Sequence, residues 1–402
     1  MNLGGFIMSI IKMTDLNLKD KKILIRADLN IPMKEKNIIS DEKIKAFIPT
    51  INIALKKEAK IIITSHLGRP IEGKYNNELS LKPIVYYLQK IFKNKKIILI
   101  KNYLEKIKIK IKENELIILE NVRFNIGEKK DDEKLAKKYA SLCDIFVMDA
   151  FASIHRCHAS TYGISKFAKI SCAGPLLLKE LNSLNKALKK PKRPMIAIVG
   201  GSKVSTKFNV LNSLAKIADS VIVGGGIANT FIAIDNKIGK SLYEPEFIET
   251  AKYLKEKYSF IIPTDCYVGT EFSETAISTY KKINEILDEE EIMDIGDKTI
   301  NKIKRLINKA NTILWNGPVG VFEFKNFRKG TKEIAYSIAK NKAFSIAGGG
   351  DTLSAINIFN IKEKISYIST GGGAFLELIE GKELPVISIL KNKQNNLKKI
   401  LL

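Results

Sequence analysis

Residues 195–207 read MIAIVGGSKVSTK, and the parsing of this stretch decides the fold. Its opening run, Met195-Ile196-Ala197-Ile198-Val199, has the composition of a strand buried on both faces of a parallel sheet. Gly200-Gly201 breaks the strand, and Lys203 and Lys207 follow four residues apart. A helix starting here would put both lysines on one face of its first turns. Backbone N–H groups at a glycine turn, a helix N-terminus and two ammonium groups would then converge on one spot, an anion site best suited to phosphate. Tight βα connections need glycine for steric reasons alone. The weight therefore comes from repetition downstream.

That repetition is present. The run 221–223 leads into Gly224-Gly225-Gly226 and a helix over 228–234. The run 344–347 leads into Gly348-Gly349-Gly350-Asp351-Thr352 and a helix, and 366–369 leads into Thr370-Gly371-Gly372-Gly373 and a helix over 374–380. A further strand, 312–315, ends in Asn316-Gly317-Pro318 and continues to Glu323. Each unit offers unpaired N–H groups and a positive dipole end at the carboxyl edge of a sheet, and several together argue for a polyphosphate, hence a nucleotide. The chain carries no GxxxxGK[ST] loop and no HRD or DFG motif, which excludes the P-loop and protein-kinase readings, and the absence of a GxGxxG fingerprint with its trailing acid counts against a dehydrogenase. Asp351 suits Mg²⁺, which takes one carboxylate plus phosphate oxygens; capping a helix is its competing task.

The first half alternates strands and helices too. Strands over 22–25, 59–63, 116–119 and 144–148 run into Arg26-Ala27-Asp28-Leu29-Asn30, Ser65-His66-Leu67-Gly68-Arg69-Pro70, Glu120-Asn121-Val122-Arg123 and Asp149 to His158, with helices at 44–57, 82–92 and 133–142. Such alternation predicts a parallel sheet with right-handed crossovers. Arg26, Arg69, Arg123 and Arg156 each sit past a strand's carboxyl end, with His66, His155 and His158 beside them. In a chain whose basic residues are mostly lysine, arginine at these places points to a bidentate grip on carboxylate or phosphate. Neighbouring arginines would repel a metal from the histidines. One half therefore reads as a pocket for a small, multiply charged anion, and the other as a polyphosphate site. Two polyanions on two domains imply phosphoryl transfer.

Composition bounds the rest. With 402 residues and 45% apolar content the chain can bury two or three domain cores. No apolar run reaches the ~18 residues of a membrane span. The start, MNLGGFIMSII, lacks a signal-peptide pattern, and Cys143, Cys157, Cys172 and Cys266 show no CxxC spacing, so a reducing cytoplasm is expected. The net charge of +24 raises a nucleic-acid or polyanion binder as a rival, but the lysines are scattered along amphipathic stretches rather than gathered with aromatics. The helix predicted over 175–190, stopped by Pro191-Lys192-Arg193-Pro194, marks the domain boundary.

The chain resembles the phosphoglycerate kinase family from residue 8 to about 385, through RADLNIP (26–32), SHLGRP (65–70), LENVRF (119–124), DAF and HR (149–151, 155–156), GGSKVSTK (200–207), GGGIANTF (224–231), WNGPVGVFE (315–323), AGGGDT (347–352) and STGGGA (369–374). The resemblance implies an α/β protein of two Rossmann-like domains, each a parallel sheet flanked by helices, joined by a helix and hinge. It implies a 3-phosphoglycerate domain at 8–180, a nucleotide domain at 181–385, a tail at 386–402 returning to the first domain, and a 1–7 extension before Met8, an alternative initiator. Reversible transfer of the acyl phosphate of 1,3-bisphosphoglycerate to MgADP, giving 3-phosphoglycerate and ATP in glycolysis, is the implied reaction. By motif, the resemblance assigns the glycerate to Arg26, Asp28, Leu29, Asn30, Lys43, His66, Leu67, Gly68, Arg69, Arg123 and Arg156. Transfer falls to Lys203, Lys43 and Gly372; the nucleotide falls to Lys207, Asn316, Glu323, Gly349, Gly350, Asp351 and Thr352, with Asp351 on Mg²⁺ directly or indirectly. A cytoplasmic monomer acting on small molecules, with no specific nucleic acid or membrane partner, is expected. A kinase of another small acid is the alternative that the first-half pocket leaves open.

Two departures from the family pattern stand out. Lys43 replaces an arginine in DEKIKAF (41–47), and Ala152-Ser153 replaces Gly-Thr before Ile154-His155-Arg156. The acceptor oxygen is already anionic, so catalysis is expected from charge neutralisation and alignment rather than from a base. The two anion sites must close together and exclude water, which places a hinge near 175–194.

Overall fold

The computed structural model describes residues 10–105 and 109–401; the 1–7 extension and Met8 lie outside the described residues. The chain divides into two compact units, one reaching Asn182 and resuming at Glu383, the other Ser183–Lys382.

The first unit contains β1 (Lys22–Arg26), α1 (Glu42–Lys56), β2 (Lys60–Thr64), α2 (Lys82–Ile91), β3 (Lys96–Ile100), β4 (Glu115–Leu119), α3 (Glu133–Ser141), β5 (Ile145–Met148), β6 (Ile170–Ala173) and α4 (Pro175–Leu188), which continues into the second. Its strands pair in the order β3-β4-β2-β1-β5-β6, all parallel. Apolar runs such as Ile23-Leu24-Ile25 and Ile61-Ile62-Ile63 are buried throughout, because helices cover both faces. Asp132 starts α3 by accepting from Leu135 N at 2.8 Å. The buried Asp149, just past β5, accepts from Thr50 Oγ1 on α1 (2.6 Å) and from Leu177 N in the first turn of α4 (3.0 Å). One carboxylate thus ties α1 and the start of the connecting helix to a strand end.

The second unit contains β7 (Met195–Gly200), α5 (Val204–Ala215), β8 (Ser220–Gly224), α6 (Gly225–Ile232), β9 (Phe260–Ile261), β10 (Asp265–Gly269), β11 (Thr279–Lys282), β12 (Glu291–Ile295), α7 (Asp297–Lys309), β13 (Thr312–Asn316), α8 (Lys329–Lys340), β14 (Phe344–Ala347), α9 (Gly350–Ile358), β15 (Tyr367–Ile368) and α10 (Gly372–Ile379). Its parallel sheet runs β9-β8-β7-β13-β14-β15, beside an antiparallel sheet β11-β10-β12. The antiparallel sheet and β6 were not foreseen. The exposed Thr-Tyr-Lys-Lys of β11 offers no apolar run to read. After Lys382 the chain returns to the first unit as α11 (Pro385–Leu401), with Val386, Ile387 and Leu390 buried and Lys393 Nζ on the Ala168 carbonyl at 2.7 Å.

In each parallel sheet strand order reverses at a central strand, β1 in one and β7 in the other. Ligands bind outside the carboxyl ends at such switch points. The ends of β7 and β13 abut so closely there that a Cβ on Gly200 would enter the Pro318 carbonyl. Overpacking of this kind costs about 1–3 kcal/mol, so Gly200→Ala is expected to lower Tm by roughly 5 °C. Gly350→Ala, whose Cβ would meet nothing within 4 Å, should not lower it. Thermal unfolding of the two variants checks this, and equal Tm values would show that the β13 loop gives way.

Candidate active site

In the first unit, side chains from four strand ends gather around one buried histidine. Arg26 is the last residue of β1 rather than beyond it, and at 1% exposure it is enclosed. Its Nε donates to Ser160 Oγ (3.1 Å), one Nη to the Ala27 carbonyl, and Nη2 to His66 Nδ1 (3.1 Å). A guanidinium only donates, so His66 Nδ1 is the acceptor and Nε2 carries the proton. Burial, and then the charges of Arg26, Arg123, Arg156 and Lys43, push the His66 pKa well below its ordinary value. His155 and His158 are both lowered to about 4, chiefly by burial and by neighbouring arginines. All three histidines are therefore neutral at pH 7, and His66 offers an N–H donor.

Arg123 lies under the same charge. Burial and the proximity of Arg156, Arg26 and Arg69 lower its pKa to about 10, and its Nε is buried without a hydrogen-bond partner. Its Nη1 donates to the Gly68 carbonyl. Arg69 is exposed and Arg156 half-buried, with Arg156 Nε on His155 Nε2 at 3.1 Å. Asn30 Oδ1 accepts from Gly68 N at 2.8 Å and so ties the first motif to the second. Leu29 and Leu67 turn their side chains into the core. Lys43 Nζ, on α1, contacts Asp28 Oδ2 (2.7 Å) and the Asn30 carbonyl (3.1 Å). Lys45, two residues on, pairs with Asp41 at 3.0 Å. In the Ala152-Ser153 turn the Ser153 hydroxyl is buried without a partner.

In the second unit the stretch 195–207 folds as strand, glycine turn and helix, with two differences from the expectation. Lys203 caps α5 in an extended conformation instead of lying within it, so Lys203 and Lys207 do not share a helical face. The helix N-terminus is already occupied: Glu244 accepts from Ser205 N at 2.8 Å and from Ser205 Oγ. Burial would raise the Glu244 carboxyl, but these bonds outweigh it and hold it below its ordinary value. Lys207 bends back to the carbonyls of Gly200 (2.5 Å) and Asn316 (3.3 Å), and burial, opposed by Asp351, lowers its pKa to about 8.

The remaining residues cluster around this lysine. Asn316 Nδ2 holds the Gly348 carbonyl at 2.7 Å, leaving its Oδ1 buried without a partner. Thr352 Oγ1 accepts from Gly317 N and donates to Gly348 O, so its hydroxyl clamps two loops. Gly349, at φ +102°, caps α9, which leaves Asp351 exposed in the first turn and not the cap. Gly372 opens α10 with free space where a Cβ would stand. A cleft of about 260 Å³ lies between Gly226, Leu242, Met293, Pro318 and Val321, with Glu323 and Asp351 in its lining. Its apolar walls and acidic positions can take a flat ring and a hydroxylated sugar.

The family model for phosphoglycerate kinase matches residues 13–382. The chain belongs to the phosphoglycerate kinase family. It is 64% identical over 385 residues to the phosphoglycerate kinase of Buchnera aphidicola subsp. Schizaphis graminum, covering 96% of this chain and 99% of that protein. It is 61% identical over 389 residues to the one from Buchnera aphidicola subsp. Acyrthosiphon pisum, with 97% and 99% covered. Among solved structures, phosphoglycerate kinase from Coxiella burnetii superposes with TM-score 0.91 at 47% identity, covering 95% of this chain and 99% of that one. The kinase from Pyrococcus horikoshii gives 0.80 at 31% identity, covering 96% and 100%. The activity is that of a glycolytic phosphotransferase with a carboxyl group as acceptor.

Sequence reading missed several buried carboxylates, Glu128 and Asp294 among them. Glu128 stands in a charged run, GEKKDDE (127–133), that reads as surface. Asp294 lines the cleft, accepting from Ile295 N (2.9 Å) and from Gly330 N in α8 (2.7 Å). Burial pushes its carboxyl up to about 8. A carboxyl raised in the folded protein favours folding most at low pH, and that contribution fades as pH rises through about 8. Asp294→Ala is expected to cost about 1–3 kcal/mol by stranding two N–H groups. The loss should shrink from pH 5 to pH 9 in thermal unfolding; a loss that grows with pH would contradict this account.

Proposed function

We propose that this chain transfers phosphate between 1,3-bisphosphoglycerate and MgADP, with the glycerate held by the first unit and the nucleotide by the second. The observation that carries this reading is the cluster of Arg26, Arg123, Arg156 and Lys43 around a neutral His66, with Arg69 acting on Arg123, which only a multiply charged anion would offset. Arg123 Nε, buried without a protein partner, is a donor waiting for such an oxygen. In the forward direction an oxygen of the ADP β-phosphate attacks the acyl phosphorus, the bond to the carboxyl oxygen breaks, and the carboxylate leaves. The nucleophile is already anionic, so no general base is needed, and the cations' task is to neutralise and align.

On the nucleotide side, Lys207 and Lys203 meet the phosphates, Glu323 the ribose, and the N–H groups at Gly349-Gly350 and Gly372 the remaining oxygens. A carboxylate fits Mg²⁺, and Asp351 stands close enough to Lys207 to raise its pKa without being used as a helix cap. Asp351 would hold the cation together with phosphate oxygens, and the bound cation would spread the polyphosphate charge. Transfer also requires the two anions to be brought within reach of each other with water excluded. We infer a cytoplasmic protein, because its four cysteines are free thiols of the kind a reducing compartment keeps. A coupled assay for ATP formation from 1,3-bisphosphoglycerate and MgADP tests the reaction; no turnover would refute it.

Lys207→Ala and Asp351→Ala should weaken MgADP binding while sparing 3-phosphoglycerate, as read by calorimetry with each ligand. Equal losses for both would contradict the division of labour. Lys43 yields a second expectation. Two of its ammonium donors are spent on Asp28 and Asn30, whereas a guanidinium could keep Asp28 and still present a fork to the moving phosphoryl group. Lys43→Arg is therefore expected to speed the chemical step by up to roughly tenfold, about 1.4 kcal/mol. Single-turnover kinetics decide it: an unchanged or slower step would mean that the site has readjusted around lysine.

A further inference from the structure

The buried Arg26 is not neutralised by direct contact with a carboxylate. Its largest favourable charge interaction is with Glu128, a residue 102 positions away in sequence and also wholly buried, and the two are joined through a hydroxyl. Ser160 Oγ lies 2.6 Å from Glu128 Oε1 and 3.1 Å from Arg26 Nε, and Ser160 N donates to Glu128 Oε2 at 3.1 Å. The Ser160 hydroxyl has one proton. Arg26 Nε must donate to it, so that proton goes to Glu128. On the other side Arg26 Nη2 donates to His66 Nδ1. Arg26 therefore donates both ways, through Ser160 toward Glu128 and directly to His66, and the row ends in an unspent Nε2–H on His66.

Resting on the glycerate reading above, we propose that Glu128, acting through Ser160, is a positioning residue for substrate. It orients Arg26, and through Arg26 it holds His66 in the tautomer that presents Nε2–H to the anion. The interposed hydroxyl explains why the carboxylate stabilises Arg26 without capturing it. A direct bidentate pair would turn the guanidinium edge toward Glu128 and away from His66. The guanidinium is a rigid plane, so fixing its Nε edge on Ser160 also fixes where Nη2 meets His66.

The experiment uses Glu128→Gln, Ser160→Ala and, as a check on the glycerate reading, Arg156→Ala. KM and kcat are measured for 3-phosphoglycerate and for MgATP, with calorimetric affinity for 3-phosphoglycerate. Nitrogen-15 spectra of the histidine-labelled protein, which has three histidines to resolve, report the tautomers. Glu128→Gln and Ser160→Ala are each expected to raise KM and Kd for 3-phosphoglycerate about tenfold, leave KM for MgATP within twofold, and abolish the single Nε2–H signature of His66. Unchanged glycerate affinity and an unchanged tautomer would overturn the proposal, as would equal losses for both substrates. Ser160→Ala removes only one oxygen and carries the test if Glu128→Gln fails to fold. If Arg156→Ala leaves glycerate affinity intact, the pocket assignment falls, while the tautomer spectra still judge the relay by themselves.

Discussion

Positive charge held together against its own repulsion is the constraint on which the first unit depends. Arg26, Arg123, Arg156 and Lys43 all act on His66, and neighbouring arginines help to lower the pKa values of Arg26 and Arg123. Burial makes this worse, because a desolvated cation without a partner is costly. The fold answers with two internal carboxyl groups set at different distances, Glu128 pushed up to about 7 by its burial. Asp28 contacts Lys43 directly, and Glu128 reaches Arg26 through Ser160. Neither closes the pocket, so the surplus positive charge remains available to a ligand.

The second unit has the opposite problem, holding lysines and backbone dipoles in place at the carboxyl edge of its sheet. Glu244 takes the N-terminus of α5, and the carbonyls of Gly200 and Asn316 hold Lys207. Thr352 and Asn316 fasten the loops after β13 and β14 to each other. Glycines are needed where these loops touch. Gly200 and Gly317 leave no room for a side chain between the ends of β7 and β13. The sheet topology explains why both sites form where they do, because strand order reverses at β1 and at β7.

The repeated apolar run, glycine turn and helix was legible in the sequence, and with it the two parallel sheets and the carboxyl-edge placement of arginines, histidines and glycine turns. Such features are local: a buried parallel strand is a continuous apolar run, and a tight turn needs glycine whatever surrounds it. What only the tertiary structure decided is how each charged side chain is partnered. Glu128 looks like its neighbours in GEKKDDE, yet it lies in the core because α3 and the 159–163 segment fold over it. Lys203 and Lys207 look like a helical pair, yet the helix begins between them and only Lys207 turns inward. Asp351 could have been a cap until Gly349 took that position. Burial and hydrogen-bond partners come from residues distant in sequence, so a one-dimensional pattern can name the charged groups of the site without saying which of them remain free to meet a substrate.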